Sequence, residues 1–209
     1  MSPLCGDSQG GNGLKLYLIR HGQSETNLRK CFTGWAQVKL TEQGEADALS
    51  VRPLLEKIRF DKIYSSDLIR AMHTAELAIP GCTYETTPLL REVGMGSLEL
   101  QPIADVEADM QAKNTRLLGY AMYGGESREQ LLQRAADFLK LVENGGHQTV
   151  AAFSHWGFIG AVLDQVMGIT IPKMRMVCKN CTVCVLEYEK EMWKLHSWIN
   201  PNNDMEESI

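Results

Sequence analysis

Arg20 and His21 stand side by side where the apolar run "LYLI" ends, and a second histidine, His155, follows "VAAFS". A second arginine, Arg70, comes after "KIYSSDLI". Taken singly these residues mean little, since a strand-end histidine is commonly structural and an arginine in a first helical turn is commonly solvated. Together they suit one chemistry, the handling of a phosphoryl group. A guanidinium fork matches two phosphate oxygens at once, which the point charge of a lysine does not. Neutral imidazole is a competent nucleophile near neutral pH when its other ring nitrogen is held by an acceptor. Four potential cations gathered in one place would repel one another and suffer desolvation unless an anion joined them. The chain has no Walker-type glycine loop and no carboxylate cluster spaced for Mg²⁺, so the positive charge is expected to come from the protein itself.

These residues meet only if the strands before them lie side by side. Leu14–Ile19, Lys62–Ser65, Thr83–Thr86 and Thr149–Phe153 read as strands. Thr41–Ile58 reads as a helix with Ala48, Val51, Leu55 and Ile58 on one side, and Pro53 is expected to kink or divide it. Ser66 or Asp67 is expected to cap a helix that runs to about Leu77, where "IPG" ends it. Glu126–Val142 is amphipathic and stops at "NGG", and Gly157–Met167 forms a helix that ends at Gly168. "TVCVLEY" and "MWKLHSWI" read as an antiparallel pair around a turn at Glu189–Glu191. This order predicts an α/β fold, a mostly parallel sheet with helices on both faces in a single three-layer domain. In such sheets ligands bind outside the carboxyl ends of the strands. Arg20, His21, Arg70 and His155 all fall there.

The composition fits one soluble domain: 209 residues, 44% hydrophobic and 22% charged, with a formal net charge of −5. That charge, with no block of like sign, argues against general binding to nucleic acid or to anionic membranes. No apolar run approaches the ~20 residues that span a bilayer. The first residues, "MSPLCGDSQGGNG", lack a basic and an apolar region and read as a disordered arm, residues 1–13, rather than a signal peptide. The domain is expected over residues 14–200, with a frayed tail at 201–209, in the cytoplasm. Six cysteines fit a reducing compartment. The trio "CKNCTVC" has the spacing of an iron–sulfur or zinc site. Its β-branched surroundings and the lack of a nearby fourth ligand favour buried core thiols, with Cys181 and Cys184 on opposite faces of a strand.

"LIRHGQSETN", followed in order by "FTG", "LTEQG", "SSDLIRAMHTA", "GGES" and "FSHWGFI", resembles the histidine phosphatase superfamily, with its phosphoglycerate-mutase-like fold. The resemblance runs from about Leu14 to Asn200. It implies that His21 is a nucleophile that forms a phosphohistidine, with Arg20, Arg70 and a protonated His155 around the phosphoryl oxygens. It places Asn27, Thr33 and Gly34 among the groups that donate to the substrate, and Gly22 where the backbone approaches closely. It puts the proton donor for the leaving group at Glu92, in "LREVGMG". Two other acids are near in sequence: Glu126, expected to cap a helix start or hold the pocket loop, and Glu99. Trp156 replaces a common glycine, either stacking on the leaving group or covering a helix start. "MGSLELQP" departs from the usual pattern, with Met95 and Leu98 for aromatics and Leu100 where glycine is common.

Three functions fit this resemblance. Mutases of the family carry a longer, more basic segment between the acid and "GGES", whereas Pro102–Tyr123 is short, with only Lys113 and Arg116 as cations. A metal-free phosphatase acting on a small-molecule phosphate ester is therefore expected, without a cofactor. A cofactor-dependent mutase and a non-catalytic phospho-ligand-binding regulator are the alternatives. A homodimer is an expectation of the resemblance alone.

Overall fold

The computed structural model describes residues 13–112, 120–169 and 178–201. Lys113, Arg116 and nearly all of the expected arm and tail lie outside them. Strand β1 (Leu14–Arg20) leads through the short helix α1 (Glu25–Leu28) to α2 (Glu42–Leu55), β2 (Lys62–Ser65), α3 (Ile69–Ala78) and β3 (Glu85–Thr86). Then come α4 (Ile103–Ala112), α5 (Arg128–Asn144), β4 (Thr149–Ser154), α6 (Trp156–Met167), β5 (Val183–Glu189) and β6 (Met192–Ile199).

The six strands form one sheet in the order β3-β2-β4-β1-β5-β6. β3, β2, β4 and β1 are parallel, and β5 and β6 run antiparallel at the other edge. Residue alternation on each strand decides which helices it meets. Leu14, Leu16 and Leu18 of β1 join Val150 and Ala152 of β4 under α5 and α6. Ile19, Ala151 and Phe153 point the other way, onto Ala48, Val51 and Leu55 of α2 and Ala71, Ala75 and Ala78 of α3. β4 is apolar on both faces, as a central parallel strand must be. The expected layers are therefore present. Cys184 lies in the first of these clusters and Cys181 in the second, the opposite faces expected of them. Cys181 itself precedes the strand, at a φ of 59°.

Several local expectations are corrected. Helix α2 runs through Pro53 and ends two residues later. Pro53 lies in the last turn on the exposed side, where water can take the carbonyl left unpaired by its missing N–H. Neither Ser66 nor Asp67 is the cap of α3. Leu68 takes that position, and the orphan N–H of Ile69 donates to Gln37 Oε1 at 2.9 Å from a neighbouring loop. Asp67 instead pairs with Arg91, whose Nε donates to Oδ1 at 2.7 Å, and this holds the Asp67 carboxyl below its usual range. Helix α5 begins after Ser127, which forms a capping box with Gln130. Helix α4 was not anticipated. Its Val106 and Met110 pack with Leu98, Phe32, Met95, Tyr120 and Tyr123 as a small separate cluster. Among the described residues no helix is long and apolar enough to cross a membrane, and no group of His, Cys, Asp or Glu is placed to hold a metal ion.

Candidate functional site

β2, β4 and β1 are neighbours with their carboxyl ends level: Arg20 pairs in register with Ser154, and Ser65 with Phe153. His21, Arg70 and His155 therefore reach one rim and are buried there, at 3%, 0% and 0% exposure. The His21 and His155 rings are 5.0 Å apart between centroids.

His21 Nδ1 lies 2.6 Å from Gly22 O. A carbonyl only accepts, so Nδ1 carries the hydrogen and Nε2 keeps a lone pair. Arg70 Nε donates to that lone pair at 3.3 Å. Burial lowers the His21 pKa well below the usual histidine value; Arg70 and Arg20 lower it further, against the Gly22 hydrogen bond. The ring is thus a neutral imidazole of fixed tautomer.

At Gly22 the backbone does approach closely, and the partner is Gly44. A Cβ there would lie 2.1 Å from Gly44 O, so the residue permits the loop after β1 to cross the start of α2. Its N–H donates to Thr74 Oγ1 at 3.1 Å.

Arg70 is held at three of its five N–H donors. Beyond His21, its Nη1 donates to Ala36 O at 3.0 Å and its Nη2 to Gly34 O at 2.9 Å. Burial pulls its pKa down to about 10, Glu92 and Glu99 oppose this and Arg20 adds to it, so it stays charged at neutral pH. Gly34, at a φ of +51°, thus turns its carbonyl to Arg70. Thr33 Oγ1 is 2.6 Å from Thr26 Oγ1. Asn27 Oδ1 accepts from Ser24 N at 3.1 Å and from Asn180 Nδ2 at 3.5 Å, which leaves donation to its amide nitrogen.

Arg20 donates through Nη1 to Cys178 O, but its Nε has no hydrogen-bond partner, and neither ring nitrogen of His155 has one. Burial, then Arg70, His21, Arg20 and Arg134, lower the His155 pKa well below its usual value. Buried, and with three cationic side chains around it, the ring is neutral without an anion, so the protonated His155 expected beside a phosphoryl group needs that group's charge to offset them.

Glu92 comes from the loop after β3. Its carboxylate accepts from Val93 N at 2.9 Å and lies so close to the first turn of α6 that a Cβ on Gly157 would be 2.1 Å from Oε1. The backbone on either side is clamped by Arg134, which donates to Leu89 O at 2.8 Å, Arg91 O at 2.6 Å and Glu92 O at 3.1 Å. Trp35 Nε1 donates to the same Glu92 O at 2.7 Å.

The rival acids hold the loops together. Glu126 pairs with Arg134 at 2.6 Å and accepts from Gly94 N at 3.3 Å; Ser127 does the capping. Glu99 Oε1 accepts from Trp35 N at 2.8 Å. Trp156 packs edge-on against Trp198 at 6.3 Å and lines, with Glu92, a cavity of about 440 Å³. Arg134, Trp35, Thr74 and Asn180 were not foreseen. Arg134 did carry a signal, an arginine on the inward face of α5 between Leu131 and Phe138.

The family profile described as histidine phosphatase superfamily (branch 1) matches residues 16–201. A protein named probable phosphoglycerate mutase GpmB, from Proteus mirabilis, is 29% identical over 194 residues, covering 89% of this chain and 90% of that one. The mycobacterial glucosyl-3-phosphoglycerate phosphatase, solved in complex with VO3, is 25% identical with a TM-score of 0.77, over 88% of this chain and 98% of that one. Phosphoglycerate mutase from Bacillus anthracis matches in fold at a TM-score of 0.77 and 23% identity, over 89% of this chain and 92% of that one.

Proposed function

Because the chain belongs to the histidine phosphatase superfamily, branch 1, we propose that it hydrolyses phosphate monoesters of small metabolites through a phosphohistidine on His21, without a metal ion. The observation that carries this reading is the set of buried atoms without partners, Arg20 Nε and both ring nitrogens of His155, beside an imidazole whose lone pair faces inward. Buried polar groups left unpaired are costly, and a phosphoryl group would accept from Arg20 Nε–H and from one N–H of the His155 ring. Its negative charge would also let His155 take up a proton on binding.

The His21 Nε2 lone pair attacks phosphorus, and the N–P bond forms as the ester P–O bond breaks. Glu92, in its acid form, gives its proton to the departing alkoxide. Water then attacks phosphorus and loses a proton to the Glu92 carboxylate; the N–P bond breaks and inorganic phosphate leaves. Arg20, Arg70 and His155 hold the phosphoryl oxygens throughout. Asn27 and Thr33 add donors at the edge of the site.

A panel of phosphate monoesters assayed with and without EDTA tests this, combined with rapid quenching for acid-labile phosphate on His21. Turnover insensitive to EDTA and label lost in His21→Ala are expected; activity abolished by EDTA contradicts the scheme. The name of the Proteus relative favours a second reading, phosphoglycerate-mutase-type transfer. Interconversion of 2- and 3-phosphoglycerate faster than their hydrolysis would decide for it.

A further inference from the structure

The cavity beside Glu92, of about 440 Å³, is larger than a phosphoryl group needs and falls within the roughly 300–1,000 Å³ of small-molecule sites. Its walls come from Met95, Leu131, Trp156, Ala161, Leu163 and Met167. Apart from Glu92, the charged groups that line it are already paired. Arg128 donates to Asp164 Oδ2 at 2.6 Å, and Glu126 is paired with Arg134 at 2.6 Å. A polyol or a short hydroxy acid placed against such walls would lose its hydrogen bonds to water and gain few in return.

Glu92 belongs to both places. It lines the cavity, and its charge acts on Arg70 at the phosphate end. An ester oxygen that receives a proton from Glu92 must sit between phosphorus and that carboxyl, so the carbon attached to it is directed along the cavity. The room there is real. Gly160 of α6 lines it, and a Cβ on Gly160 would meet nothing within 4 Å.

We propose that this cavity receives the organic half of the ester, and that the preferred substrates are phosphate monoesters of apolar alcohols or phenols carrying an aryl or medium-length alkyl body. The phosphate end of this proposal rests on the phosphatase reading. Trp156, held edge-on by Trp198, gives a flat wall for an aromatic body. The alkyl part contributes by leaving water rather than by hydrogen bonding.

The test compares phenylbutyl phosphate with glycerol 3-phosphate, both esters of primary alcohols and so similar in leaving-group difficulty. The wild-type protein is expected to show a kcat/KM for phenylbutyl phosphate higher by about tenfold or more, the scale of a few buried methylenes. Gly160→Leu puts a branched side chain into the cavity while replacing a poor helix former with a good one. It should lower the ratio of the two kcat/KM values by about tenfold. A wild-type preference for glycerol 3-phosphate, or a ratio unmoved by Gly160→Leu, overturns the proposal. If neither ester is hydrolysed, the phosphatase reading fails, and binding of phenylbutanol alone, read by saturation-transfer NMR, still decides about the cavity. Binding to the wild type that weakens in Gly160→Leu supports it, and no binding to the wild type overturns it.

Discussion

Arg70 Nε donates to His21 Nε2 across 3.3 Å. The nucleophilic lone pair is therefore covered by the same group that is proposed to hold a phosphate oxygen. Gly34 O and Ala36 O each take one N–H of the Arg70 fork and fix its position. Two N–H donors remain for phosphate oxygens, and the contact to Nε2 has to open as phosphorus approaches. His21 cannot flip, because Gly22 O takes its Nδ1–H. Two residues of opposite chemical role thus set each other's orientation.

This pairing sets the pH behaviour. Burial and the two arginines lower the His21 pKa well below 6.5, so the nucleophile is neutral through the whole neutral range. The acid limb of kcat/KM attributable to His21 should lie well below pH 6.5, in a pH–rate profile.

Stability follows the same shift. The folded-state pKa values of His21 and His155 are both depressed, so the unfolded chain binds more protons below pH ~6.5. Stability from these groups is intact above that pH and lost as pH falls towards their folded values, by at most about 1.4 kcal/mol per pH unit for each ring. Urea denaturation between pH 7.5 and 5 should show a shallower loss for His155→Gln than for the wild type. Parallel curves would refute the assignment.

Glu92→Gln keeps the shape of the side chain and removes the transferable proton. Hydrolysis of alkyl phosphates should fall by about 100-fold or more, and that of p-nitrophenyl phosphate, whose leaving group needs little protonation, by less than about tenfold. Equal losses on both would place the acid elsewhere.

Two glycines at the site should respond differently to alanine. At Gly157 the new Cβ meets the Glu92 carboxylate at 2.1 Å, the end of a side chain that can swing away. The expected result is a folded protein with the leaving-group dependence of Glu92→Gln. At Gly22 the Cβ meets Gly44 O at 2.1 Å and the Gly44 carbonyl carbon at 2.9 Å, and backbone yields only with both loops. Gly22→Ala should destabilise by about 3 kcal/mol, the upper end of the overpacking range. Thermal melts of the two variants separate these outcomes.

Leu100 has a φ of 68° and is 51% exposed. A left-handed backbone costs a non-glycine residue about 1–2 kcal/mol, and glycine gives back roughly 0.5–1 kcal/mol in chain entropy. Leu100→Gly should therefore stabilise the fold by about 0.5 kcal/mol. A loss of stability on chemical denaturation would show that the leucine side chain earns its place by contact instead.

The sheet was legible from the chain because its signals are local. Apolar runs at Leu16, Val150 and Val183 end in punctuation, and period-2 alternation already separates Leu16 and Leu18 from Tyr17 and Ile19. The strand-end position of His21 and His155 is local too, and so was legible. What needed the tertiary structure was every pairing between distant segments. Arg134 clamps the backbone of Glu92 from 42 positions away, and Gln37 caps a helix 32 positions on. Gly22 is a glycine because of Gly44, and the charge of His155 is set by its burial and by cationic side chains brought in by other elements. Hydrogen bonding, close approach and electrostatics act through space, so residue type alone determined which groups were available, and only the folded chain decided which of them meet.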